Sequence, residues 1–167
     1  RICDAGTAPR RGPGWVYGFP EVGGSYAAVQ QASRVSVPGC HATGVLARAA
    51  PLVEHGYLAA DSQLYCHSLT GYSGGGKQMI AAYEDPTRPQ GYASPLEYSL
   101  AMQHKHLPEI KEVASLTSAP PFTPIGVDYS RGLLVTLLLP SGPLAKPSHP
   151  QVLATLLTRH FPYHPPF

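Results

Sequence analysis

A chain of 167 residues is long enough for one domain with a real core and too short for a second of full size. Twelve basic residues against ten acidic ones are spread along the sequence, and the longest apolar run, 133–139, is far shorter than a membrane span, so nucleic acid and membrane find no support. Three cysteines without Cys-x-x-Cys spacing suggest neither a disulfide framework nor a zinc ribbon and suit a reducing cytoplasm.

The chain begins without methionine or a signal-peptide core, in what reads as strand and loop, and is expected to be a fragment. After Ile2-Cys3-Asp4 come turn residues Pro9, Gly12, Pro13 and Gly14, then Trp15-Val16-Tyr17-Gly18-Phe19-Pro20-Glu21. Ser25 is placed as the N-cap of a short helix over 26–31. The apolar run Val35-Ser36-Val37 ends at Pro38-Gly39. From Thr43 onward Val45, Leu46, Ala49, Leu52 and Val53 recur at helical spacing as far as Gly56. Cys40 therefore falls at a strand-to-helix turn, where free backbone N–H groups and the helix dipole favour a thiolate, the form that attacks carbonyl carbon. Pro51 should kink or split the helix.

Residues 63–70 read as a strand ending at Gly71, and the glycine-rich run 71–78 precedes a helix over 78–83. Gly71-x-x-x-x-Gly76-Lys77 matches seven positions of a phosphate-binding loop. Gln78 stands where a magnesium-holding Ser or Thr belongs, and no later strand ends in aspartate, so nucleoside triphosphate is disfavoured. Residues 97–106 are ambiguous, and a helix is expected to start near Pro108 and run to about Leu116. His104-x-His106 lacks a third partner for zinc, but a histidine is the natural proton-transfer partner of a nucleophilic cysteine. Strands are expected over 122–127 and 133–139, the latter buried. Ser148 should cap a last helix with Val152, Leu153, Leu156, Leu157 and Phe161 on one face, followed by a frayed tail. Strands and helices without strict alternation indicate an α+β domain with a mixed sheet.

Taken in order, Trp15 to Glu21, Pro38-Gly39-Cys40, Ser73-Gly74-Gly75-Gly76-Lys77, His104-Lys105-His106-Leu107-Pro108-Glu109-Ile110 and Arg131-Gly132 resemble N-acetyl-gamma-glutamyl-phosphate reductase of the short bacterial type. The resemblance spans about residues 1–140. It departs at His41-Ala42, where the family usually carries Tyr-Pro.

The resemblance implies an NADP-dependent reduction of an acyl phosphate to an aldehyde in arginine biosynthesis, with Cys40 forming the thioester. It implies a histidine of the 104/106 pair as acid/base, preferably His104. His106, Glu109, Arg131 and Ser73 would hold substrate, and Gly74 and Gly75 would line the floor beside the nicotinamide. It also implies a largely antiparallel mixed sheet with flanking helices, like the C-terminal domain of glyceraldehyde-3-phosphate and aspartate-semialdehyde dehydrogenases. Residues 1–14 would be the remnant of a junction with a missing dinucleotide-binding domain, and 15–167 the substrate-binding and dimerisation domain of a homo-oligomer, dimer or tetramer. No metal is expected, and NADP(H) should not bind without the missing domain, so the fragment alone should not turn over. The other readings are an aspartate-semialdehyde dehydrogenase-like domain and a non-catalytic dimerisation module.

Overall fold

The computed structural model describes residues 1–139, 144–146 and 148–161, which form two sheets with helices packed against them. Strands β1 (Ile2–Asp4), β2 (Val16–Tyr17) and β3 (Arg34–Ser36) make a small parallel sheet in the order β1-β3-β2. Helix α1 (Tyr26–Gln31) lies between β2 and β3 in the chain. Ser25 occupies its N-cap position but does not cap it: the hydroxyl donates to Phe19 O at 2.7 Å instead.

Helix α2 (Cys40–Glu54) is the central element. It starts at Cys40 because Pro38 cannot donate to a strand ladder and Gly39 keeps an extended backbone, and it stops as Gly56 takes φ +67. Its apolar stripe is fully buried at Val45, Leu46 and Ala49, each 0 % exposed. The helix runs through Pro51 without splitting, since the proline falls near its C-terminal end and only one carbonyl loses its intrahelical partner.

The larger sheet has the order β5-β6-β4-β7. Strands β4 (Tyr65–Gly71) and β6 (Phe122–Val127) are parallel, while β7 (Leu133–Leu138) runs antiparallel to β4 and β5 (Leu96–Glu97) antiparallel to β6. Two of its three pairings are thus antiparallel, in a mixed sheet flanked by helices. Strands β1 and β3 fall where the sequence reads as strand, at Ile2-Cys3-Asp4 and just before Cys40, but their pairing with each other and with β2 into a separate parallel sheet is long-range and goes unannounced. Helix α3 (Lys77–Glu84) follows a 3-10 turn at Tyr72–Gly75. Helix α4 (Leu107–Val113) ends three residues short of the expected Leu116, with Ser115 turned to φ 55.

One sheet face packs on α2 through Cys66, Ser68, Phe122 and Val135, all buried. The opposite face alternates Tyr65, His67 and Leu69 with Leu134, Thr136 and Leu138. Here the strand over 133–139 departs from expectation. Leu134 is 56 % and Leu138 54 % exposed, because nothing among the described residues covers the outer face of β7. Helix α5 (Pro150–His160) packs against α2 and is capped by His149, whose Nδ1 accepts from Gln151 N, and not by Ser148. The expected tail beyond Phe161 lies outside the described residues. Among those residues no helix is long and apolar enough to cross a membrane.

Candidate active site

Cys40 is the first residue of α2 and its side chain is exposed. Gly39 is the N-cap, and its carbonyl accepts from Thr43 N at 2.8 Å and Thr43 Oγ1 at 3.0 Å, which closes the first turn. No side chain caps the leading amides from that position, so the positive end of α2 is open towards negative charge developing at Cys40.

Beneath this turn lies Glu109, 1 % exposed, on the first turn of α4. Its carboxylate accepts from Arg10 Nη1 at 3.0 Å, Tyr17 Oη at 2.9 Å and Gly39 N at 3.2 Å. Burial, followed by the charge of Glu109, pushes the Tyr17 phenol far up, so it stays a donor. A Cβ at position 39 would come within 2.3 Å of His106 Nε2 and 2.5 Å of Glu109 Oε1, which restricts that position to glycine. His106 is 3 % exposed, with Nε2 at 3.8 Å from Glu109 Oε1 and Nδ1 without a partner among the described residues. Burial first, then His104, His41, Arg10 and Lys105, lower His106 to about 3. The nearby carboxylate does not reverse this, because Arg10 already balances its charge.

His41 is the second residue of α2 and is buried between two hydroxyls, with Nδ1 at 2.7 Å from Ser68 Oγ and Nε2 at 2.9 Å from Tyr98 Oη. Desolvation, then His104 and Lys105, bring it down to about 4, so the ring is neutral. Its centre lies 5.3 Å from His104 and 5.5 Å from His106, and both His41 and His104 meet the edge or face of Phe122. His104 is half-buried, and burial followed by Lys105 lowers its pKa. Its Nδ1 accepts the His106 backbone N–H at 3.2 Å, which assigns the proton of the neutral ring to Nε2. Tyr98 is pushed up to about 12 by burial and then by the charge of Cys40.

A second group gathers past the C-terminal end of β4. Ser73 N donates to Ser130 O at 3.2 Å, and the Ser73 hydroxyl bonds the same carbonyl, so Ser73 is held beside Arg131. Gly74, Gly75 and Arg131 are exposed. The turn before Arg131 is fixed by Arg88, which holds both oxygens of Asp128 at 2.8 and 2.7 Å. Strand β4 joins the groups: Ser68 touches His41, and Gly71 is bonded to Gly132 O. Among the described residues no three His, Cys, Asp or Glu side chains converge as metal ligands.

A family model described as the semialdehyde dehydrogenase dimerisation domain matches residues 40–165. The chain belongs to that family. It is 41 % identical over 156 residues to the N-acetyl-gamma-glutamyl-phosphate reductase of Burkholderia lata, covering 89 % of this chain and 49 % of that one. It is 42 % identical over 140 residues to N-acetyl-gamma-glutamyl-phosphate reductase 2 of Pseudomonas putida, covering 83 % and 44 %. The chain thus spans about half the length of the curated relatives it matches. Among solved structures it is similar to aspartate semialdehyde dehydrogenase II from Vibrio cholerae, with a TM-score of 0.71 at 14 % identity, covering 95 % of this chain and 52 % of that one; this shows the fold alone. The resemblance read from the motifs and the mixed-sheet fold both hold.

Nothing in the sequence marks Arg10, Ser68 or Tyr98 individually, and Tyr17 is marked only as part of the stretch 15–21. Arg10 lies in a proline-glycine turn without periodicity, and Ser68 inside a strand, where nothing local marks it. The one available signal was His41, a polar residue directly after the cysteine and on the buried stripe of α2.

Proposed function

We propose that this chain is the substrate-binding and dimerisation part, residues 15–167, of an N-acetyl-gamma-glutamyl-phosphate reductase, with 1–14 as the junction to a dinucleotide-binding domain. The observation that carries this is Cys40 at the open first turn of α2, in a chain 41–42 % identical to reductases of that name over most of its own length.

Cys40 attacks the acyl phosphate carbon, the carbon–oxygen bond to phosphate breaks, and an acyl thioester on Sγ results. The first-turn amides of α2 lie where negative charge develops. His104, which is half-buried and presents an Nε2–H, is the proton donor to the carbonyl oxygen; His106 is enclosed and serves to hold His104 in place through its backbone N–H. Arg131 and Ser73 take the carboxylate and phosphate of the substrate, a task suited to a planar guanidinium. NADP(H), bound mainly by the dinucleotide domain, supplies the hydride. Gly74 and Gly75 offer an exposed backbone on which a Cβ would press against Thr70 Oγ1 and the Met79 side chain, and a flat ring can lie against such a surface.

The outer face of β4 and β7, with Tyr65, Leu134 and Leu138 exposed, is the homodimer surface. Three free thiols suit a reducing cytoplasm. The test is phosphate- and NADP-dependent oxidation by the full-length protein containing this chain. N-acetyl-glutamate 5-semialdehyde should be the better substrate; a preference for aspartate semialdehyde overturns the reading.

A further inference from the structure

Five stretches of chain meet at one buried ion pair. The Arg10 side chain is 8 % and that of Glu109 2 % exposed, with Nη1 and Oε1 3.0 Å apart. The other guanidinium nitrogens are also used: Nε donates to Val37 O at 2.9 Å, three residues before Cys40, and Nη2 to Ala5 O at 3.1 Å. The second carboxylate oxygen accepts from Tyr17 Oη and from Gly39 N, the residue next to Cys40. Val37 N in turn donates to Asp4 O at 2.7 Å.

We propose that Arg10, Tyr17 and Glu109 form a clamp that sets the turn carrying Cys40. Arg10 and Tyr17 are then positioning residues for the thiol, and Glu109 acts within the chain and not as a contact to substrate. A buried carboxylate needs its lone pairs filled, and here a guanidinium, a phenol and a backbone amide fill them, which leaves little capacity for a ligand. Two of those donors hold fixed positions in the small parallel sheet and its turns, so the third, Gly39 N–H, is pulled to a fixed point. His106 closes the other side, since nothing larger than glycine fits between it and the turn. Because Arg10 also grips Ala5 O, the clamp ties the segment at the start of the chain to the base of α2.

The inference rests on Cys40 as nucleophile, and the test separates the two. In the full-length enzyme, Arg10→Gln, Tyr17→Phe and Glu109→Gln are compared with the parent. Three readouts are taken: Cys40 alkylation by iodoacetamide without substrate, hydrogen exchange in the peptide spanning 37–43, and kcat against KM. Tyr17→Phe should exchange about tenfold faster there and alkylate about tenfold more slowly, the effect of one lost buried hydrogen bond, and Arg10→Gln and Glu109→Gln should change in the same direction by at least as much. The value of kcat should fall with KM within about twofold, and Arg10→Lys should recover part of the loss. Unchanged exchange and alkylation in Arg10→Gln and Tyr17→Phe overturn the clamp, as does a Glu109→Gln variant with raised KM and intact kcat. If the Arg10 and Glu109 variants fail to fold, Tyr17→Phe, which deletes one hydroxyl, decides alone. If parental Cys40 resists alkylation, the nucleophile reading fails while the exchange result still judges the clamp.

Discussion

His41 Nε2 lies 2.9 Å from the Tyr98 hydroxyl, which makes the residue after the cysteine the buried link between α2 and the loop that carries His104. The other ring nitrogen meets Ser68 at 2.7 Å, so the neutral imidazole is satisfied at both ends. His41→Leu keeps the volume and strands both hydroxyls, and it should destabilise the chain by about 1–3 kcal/mol. Tyr98→Phe should cost about 1 kcal/mol. Urea unfolding midpoints check both, and a neutral His41→Leu would contradict the link.

Stability should fall with acid. Burial holds His41 at about 4 and His106 at about 3 in the folded chain, below the ordinary histidine value that the unfolded chain regains. The unfolded state therefore binds more protons once the pH drops below about 6.5, and stability rises with pH in that window. The stabilisation is fully present near pH 7 and is progressively lost down to about pH 3–4. Unfolding midpoints from pH 7.5 to 4.5 should show this slope, and His106→Gln should flatten it. An unchanged slope would mean that His106 is not buried neutral.

The outer sheet face should govern association. Leu134→Lys puts a charge at a residue 56 % exposed in the single chain, so it should spare the fold and dissociate the proposed dimer. Sedimentation velocity of the full-length protein decides; a dimer of unchanged affinity would move the interface elsewhere.

The turn at Cys40, the helix it opens and the strands at 65–71 and 122–127 could be read from the sequence, because punctuation by Pro38-Gly39 and apolar periodicity act locally. What stayed hidden was long-range. Glu109 could be placed on a helix start but not under Gly39, 70 positions away, and neither Arg10 nor Tyr17 carries a periodic signal. The exposed outer face of β7 was hidden for a related reason. A leucine run reads as buried whether it packs on its own chain or on a second copy.

Arg131 should act on substrate affinity. Arg131→Lys keeps the charge and loses the planar fork, so KM of the full-length enzyme should rise about tenfold with kcat less affected. Asp128→Asn, which loosens the Arg88 grip on the preceding turn, should raise KM by less. Equal kcat and KM losses in Arg131→Lys would assign the arginine to the chemical step instead.

In the proposed reaction Cys40 carries the acyl group. The full-length enzyme, incubated with N-acetyl-glutamyl phosphate in the absence of NADPH and digested at low pH, should show the acyl mass on the peptide containing Cys40 and release one phosphate per acyl group. Acylation of Cys3 or Cys66 in its place, or a Cys40→Ser enzyme that still turns over at the parental rate, would contradict it.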